Sequence, residues 1–253
     1  MDTTADTRAE ISLHLRGLRT AVACWEAYAG TIAGGTLHRL PGIDVAVFTD
    51  GPEREFFNNA VPAHDLDAAQ RRAAVDALVS TYADAGITSY AAWVHETDRG
   101  MLDELTSRDF RHQETTWSMG RTLDADPPSD REDVDPGSWA EYLRVLELPA
   151  GLLEDADPAD FDIAVGRVDG AAVAAGMAFD HEADTGIYNV GTLKRARRRG
   201  LGSAVVARLL REATTRGSTT ATLQSTEMAR GVYAGQGFAD LGRILELGPP
   251  PTP

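Results

Sequence analysis

The chain has 253 residues, 43% of them hydrophobic and 25% charged, with a formal net charge of −15. Those proportions describe a soluble globule of one large or two small domains. The sequence holds no run of 18 apolar residues, which excludes a helical membrane span, and the surplus of acid repels a phosphate backbone, which excludes general nucleic-acid binding.

The first residues, Met-Asp-Thr-Thr-Ala-Asp, lack the basic-then-apolar pattern of a secretory leader. The single Cys24 has no partner for an intrachain disulfide and lies in an Ala/Trp-rich run, so it reads as a small buried apolar residue. A cytoplasmic location is expected. His14, His38, His64, His95, His112 and His181 are scattered, and no Cys/His spacing suits a metal, so none is expected.

In chain order, residues 7–29 read as a helix and 37–40, 43–49 and 55–61 as strands. Residues 65–85 repeat apolar side chains at helical spacing (Leu66, Ala69, Ala73, Leu78, Val79, Tyr82). A strand at 89–94, a helix at 99–108 and a strand at 113–119 follow. Residues 123–138 are acidic, polar and Pro-containing, which marks a linker between domains at 1–122 and 139–253. The acid is uneven: residues 1–149 carry 13 Lys and Arg against 26 Asp and Glu, whereas 150–253 carry 11 against 13.

After a helix at 139–146, a hairpin runs from Val173 to Glu182, and a β-type run, 186–190, leads into the most informative stretch. Residues 187–203 contain Arg197-x-x-Gly200-x-Gly202 with five cations, Lys194, Arg195, Arg197, Arg198 and Arg199, ahead of a helical run at 204–212. The first N–H groups of a helix lack intrahelical partners and sit at the positive end of its dipole. Glycine lets a ligand approach the backbone closely. Clustering like charges without a ligand costs stability, so the loop reads as a pyrophosphate pocket. It is neither a Walker loop, for want of Gly-Lys-Ser/Thr, nor a dinucleotide fingerprint, because Val205 stands where a third glycine is needed. Downstream come Arg216-Gly217 as a helix stop, a strand at 219–224, a short helix at 226–234, then Tyr233-x-x-x-Gly237-Phe238 and a last apolar run at 241–247.

Strand, Arg-x-x-Gly-x-Gly, helix, strand, and Tyr-x-x-x-Gly-Phe in this order resemble the GNAT acetyltransferase superfamily over residues 160–248. The resemblance implies an acetyl-CoA (coenzyme A) site. Val190, Gly191 and Thr192 would meet the pantetheine arm, and the loop Arg197, Arg198, Arg199, Gly200, Leu201, Gly202 and Ser203 would hold the pyrophosphate. Gln224 stands at the neighbouring strand end. It implies Tyr233 as the acid that protonates the departing thiolate. It marks no general base. Asp180, His181 and Glu182 read as a solvated hairpin tip. Tyr188 or Asn189 faces the substrate cleft, and neither suits a base. Glu227 is a further candidate. Ser225 or Thr226 is read more simply as a helix N-cap.

The first half repeats the order of elements, so the fold expected is α/β, with two GNAT-like domains in tandem, each a mostly antiparallel mixed sheet flanked by helices. Its counterpart of the loop is Pro62-Ala-His-Asp65-Leu-Asp67, whose two carboxylates would repel a pyrophosphate. Met101 or Leu102 stands where the acid tyrosine would be. Phe56, Phe57, Asn58 and Asn59 precede that loop, the Asn pair reading as strand-end caps. The first half is therefore expected not to bind acyl-CoA. The function expected is acetyl transfer from acetyl-CoA to a primary amine of a small molecule by a monomer, a dimer being the alternative state. The competing function is a non-catalytic acyl-CoA-binding regulatory or structural module.

Overall fold

The computed structural model describes residues 3–50, 57–123, 133–150, 152–153, 155–157 and 159–250. The chain divides into two compact units that are not sequential, one of residues 1–21 and 118–241, the other of 22–117 and 242–253. Residues 124–132 of the expected linker lie outside the described residues, as do 55 and 56 of the expected strand at 55–61.

In chain order the elements begin with α1 (Thr3–Ala29), β1 (Gly35–Leu40), β2 (Ile43–Phe48), β3 (Asn59–Pro62), α2 (Ala68–Asp84), β4 (Ala91–His95), α3 (Arg99–Thr106) and β5 (Arg111–Thr122). They continue with β6 (Val134–Pro136), α4 (Trp139–Leu146), β7 (Phe161–Val168), β8 (Ala171–His181), β9 (Asp184–Thr192), α5 (Leu201–Arg216), β10 (Thr220–Ser225), α6 (Arg230–Ala234) and β11 (Ala239–Gly248). The divisions between units fall inside α1, β5 and β11.

The unit of 22–117 and 242–253 orders its strands β1-β2-β3-β4-β11. β3 and β4 are parallel, while β1–β2, β2–β3 and β4–β11 are antiparallel. Period-2 alternation aims Ile43, Val45 and Val47 at one face, where Val75, Leu78 and Tyr82 of α2 and Met101 and Leu105 of α3 close the core. The Tyr82 hydroxyl donates to Ala46 O at 2.7 Å, which satisfies a fully buried phenol. Of Met101 and Leu102, the two residues expected near the place of an acid tyrosine, Met101 is 0% exposed within this core and Leu102 is partly buried against it. The side chain of Asn58 completes the strand end, accepting from Phe48 N–H at 2.8 Å and donating to Phe48 O at 3.4 Å.

The unit of 1–21 and 118–241 orders its strands β5-β10-β9-β8-β7-β6. β9 and β10 run parallel, while β6–β7, β7–β8 and β8–β9 are antiparallel. β8 reads Ala-Ala-Val-Ala-Ala-Gly-Met-Ala-Phe and is buried almost throughout, because small side chains let helices approach closely. A Cβ on Gly176 would stand 2.9 Å from Val205 of α5, and one on Gly191 would collide with Leu146 of α4. α5 buries Leu201, Ala204, Val205, Val206, Leu209, Leu210 and Ala213, one stripe at helical spacing. It ends at left-handed Gly217. The helix expected over 226–234 is confined to α6. Residues 226–229 form a turn closed by Ala229 N–H to Thr226 O at 3.1 Å.

Candidate acyl-donor site

A parallel pair gathers the expected site residues at one end. The loop that opens α5 leaves the carboxyl end of β9, and Tyr233 follows the carboxyl end of the adjacent β10. Ligands in α/β sheets collect at such strand ends. The parallel register covers Thr220–Thr222 against Asp184–Gly186 and stops there, although β9 continues to Thr192 and β10 to Ser225.

β9 bends in the same stretch. Its register against β8 passes from Met177↔Tyr188 to Ala175↔Gly191, so β9 carries one residue more than β8. That is a β-bulge, which twists a strand away from its ladder. Asn189 within it is left-handed at φ 51, a conformation that Asn tolerates better than most residues. Its side chain is exposed at the strand but donates to Tyr142. Neither Asn189 nor Tyr188 is placed as a base: the first is committed to α4, and the second lies over Gly186, where a Cβ would meet its hydroxyl.

The loop starts at Leu193, whose N–H bonds Val173 O at 2.9 Å, and turns through a short 3₁₀ segment, Lys194–Ala196, anchored by buried Ala196. All five cations are exposed. Arg197 Nε donates to Thr192 O at 3.0 Å, which ties the loop back to the strand end. Arg198 and Gly200 are both left-handed, at φ 63 and 76. The helical ladder opens with Ala204 N–H to Gly200 O at 3.0 Å. The N–H groups of Leu201, Gly202 and Ser203 therefore precede any intrahelical acceptor, and no side chain caps them. At Gly202 a Cβ would meet nothing nearer than Thr192 Oγ1 at 3.5 Å. The protein's own packing does not require glycine there. This bare, cation-flanked cradle fits a pyrophosphate.

The N-terminus of α2, the expected counterpart of α5, is closed. Asp67 caps α2 and accepts from Ala69 N–H at 2.8 Å and Gln70 N–H at 2.9 Å, while Gln70 Oε1 accepts from Asp67 N–H. The backbone N–H groups of Gln70 and Ala69 hold the Asp67 carboxyl below its ordinary range. A carboxylate of the chain itself sits where an anion would bind.

Tyr233 is 7% exposed, with its ring 6.0 Å from that of Phe238 in an edge-on contact. Burial pushes its phenol up to about 12, so it keeps its proton throughout the neutral range. Gln224 is half-buried at the end of β10, and buried Ser225 donates to Thr226 O at 2.8 Å instead of capping a helix. Glu227 is 69% exposed and lies 3.6 Å from Arg230. Asp180 is engaged by Arg216 and Thr185 at the opposite end of β9. Two features went unread in the sequence: the bulge, signalled only by an Asn, and Arg121 of β5, which donates to Gln236 O just beyond Tyr233.

The sequence profile of the Acetyltransferase (GNAT) family matches residues 118–238. No curated protein sequence matches the chain. Among solved structures, the chain is similar to a GCN5-related N-acetyltransferase from Kribbella flavida, with a TM-score of 0.71, 20% identity, and 97% of this chain and 96% of that one covered. It is also similar to a GCN5-related N-acetyltransferase from Sphaerobacter thermophilus, with a TM-score of 0.60, 17% identity, and 82% and 80% covered. A tandem GNAT protein from the clavulanic acid biosynthesis pathway has a TM-score of 0.56 at 15% identity, with 87% and 86% covered. At these identities the likeness is one of fold. The profile match covers the bulged strand, the cradle and Tyr233 alike, so residues 118–238 are similar to the acetyltransferase (GNAT) family.

Proposed function

We propose that this protein is an N-acyltransferase that takes an acetyl group from acetyl-CoA and delivers it to a primary amine of a small molecule. The observation that carries the reading is the uncapped N-terminus of α5 at the same strand ends as a buried, protonated phenol. Bound acetyl-CoA supplies the acyl group as a thioester. The N–H groups of Leu201, Gly202 and Ser203 hold its pyrophosphate, and Arg197, Arg198 and Arg199 add charge around it. In the bulge and just past it, Val190, Gly191 and Thr192 offer backbone groups to the pantetheine arm, and Gln224 borders it from β10. Tyr233 holds a proton for the sulfur of the leaving thiol.

We also propose that the first half is a degenerate GNAT-like partner that binds no acyl-CoA, a reading supported by the Asp67 cap. The acid-rich residues 1–149 suit a cationic acceptor. The buried, solitary Cys24 is consistent with a cytoplasmic protein.

Calorimetric titration with acetyl-CoA tests the donor site. One equivalent should bind, with an affinity on the order of micromolar, and Gly202→Asp should abolish the heat. Normal binding by that variant overturns the cradle assignment, and no binding by the parent overturns the function. CoA release from acetyl-CoA with a mixture of glycine, spermidine and kanamycin tests amine transfer.

A further inference from the structure

We infer that Arg121 is a positioning residue for Tyr233, an inference that rests on the acid role proposed for that tyrosine. α6 is a five-residue helix with no side-chain cap at its N-terminus. One turn does not hold itself in water, so something outside α6 must fix the direction of the phenol. The turn after it does so. Gln236 N–H and Phe238 N–H both bond the carbonyl oxygen of Tyr233, at 2.9 and 3.1 Å, and Gly237 N–H bonds Ala234 O at 3.0 Å. Phe238 then sets its ring against that of Tyr233.

That turn is gripped from β5. Arg121 Nη1 donates to Gln236 O, and Arg121 Nε donates to Thr122 O at 3.1 Å. One planar guanidinium thus joins the strand to the turn through two nitrogens of fixed geometry, which an ammonium cannot reproduce. Gly237 is left-handed at φ 80, and a Cβ there would stand 3.2 Å from Arg121 Nη1. The turn is therefore shaped to accept the guanidinium face. Arg121 also lines an open hollow of about 470 Å³ with Glu10, Leu13, Gly237 and Leu241, so a small cation can reach the space that its removal would leave.

The test is CoA release from acetyl-CoA with the glycine, spermidine and kanamycin mixture, comparing Arg121→Ala, Arg121→Lys, Tyr233→Phe and the two Arg121 changes made in Tyr233→Phe. Arg121→Ala should lower kcat about tenfold or more, with KM for acetyl-CoA changed by less than about twofold. Guanidinium at tens of millimolar, roughly a hundredth of denaturing strength, should restore part of that loss. In the Tyr233→Phe background neither Arg121 change should lower kcat further, because residues acting as a unit are not additive. Equal losses in both backgrounds, or an unchanged kcat in Arg121→Ala, overturn the inference while leaving the role of Tyr233 standing. An unchanged kcat in Tyr233→Phe alone overturns that role instead, and the inference with it. If Arg121→Ala does not fold, Arg121→Lys carries the same comparison.

Discussion

Asn189 Nδ2 donates to the phenolic oxygen of Tyr142 at 3.0 Å, and so fastens the bulge of β9 to the fully buried face of α4. The same helix meets β9 a second time two residues on, where Leu146 fills the space that a Cβ on Gly191 would need. Strand and helix thus hold the bulge in a shape that β9 would not adopt in a regular ladder.

Asn189→Ala removes that bond and puts a less tolerant residue at φ 51. The expected cost is about 1–2 kcal/mol of stability. The dissociation constant for acetyl-CoA should rise several-fold, because the backbone groups that meet the donor lose their fixed position. Asn189→Gly keeps the dihedral and loses only the bond, so it should fall between parent and Ala in both measurements. Calorimetry and thermal melts of the three proteins check this. Parent-like acetyl-CoA affinity in the Ala variant would show that the bulge is held by other contacts.

Gly200 and Gly202 are two residues apart and are glycine for different reasons. Gly200 is left-handed, so Gly200→Ala should destabilise by about 1 kcal/mol through strain. Gly202 has room for a methyl and an ordinary dihedral, so Gly202→Ala should leave the melting temperature unchanged or slightly raised. Its acetyl-CoA affinity should nonetheless drop, because the methyl enters the cradle. A Gly202→Ala protein that melts early and binds normally would reverse the assignment.

Much of this was legible from local sequence. Glycine punctuation and helical spacing marked α2 and α5, and runs of β-branched residues marked β2 and β10, because those signals come from each segment's own backbone preferences. The glycines of Arg-x-x-Gly-x-Gly marked the turn that opens α5 by the same local signals, whereas Tyr233 was singled out only through the family resemblance of Tyr-x-x-x-Gly-Phe. What escaped depends on distant partners. The bulge exists only in register with β8, and the grip of Arg121 on Gln236 spans 115 residues. A division into units that interleaves 1–21 with 118–241 has no local signature either. Nor does the turn at 226–229, where helical propensity yields to the path of the chain out of β10.

Asp184 is another residue of this kind. Its carboxylate is 0% exposed and accepts from Thr20 Oγ1 at 2.7 Å, Thr220 Oγ1 at 2.6 Å and Thr222 Oγ1 at 2.7 Å. It joins α1 to β10 at the point where the parallel register of β9 begins. Asp184→Ala removes the acceptor shared by three hydroxyls, of which Thr20 Oγ1 keeps Arg16 O at 3.2 Å, and it should destabilise by roughly 3 kcal/mol. Asp184→Asn keeps one acceptor oxygen and should cost about half as much. Urea unfolding of the variants measures both, and a cost below about 0.5 kcal/mol for Ala would show the cluster to be dispensable.

Tyr233→Phe removes the phenolic oxygen and keeps the ring against Phe238. If the hydroxyl protonates the leaving thiolate, kcat should fall about 100-fold, with KM for acetyl-CoA little changed, since an interaction made only in the transition state is lost. The pH profile supplies the second check. Burial lifts the phenol from 10.0 to about 12, so the native state favours the protonated form. Its contribution to stability is fully present below the unfolded value near 10 and is lost as pH rises from there towards 12. Activity should accordingly rise with pH as the acceptor amine loses its proton, with no decline due to Tyr233 below about pH 11. The variant should trace the same shape at lower amplitude. An alkaline decline between about pH 8 and 9 that disappears in Tyr233→Phe would mean that the phenol titrates there, against the burial that the structure gives it.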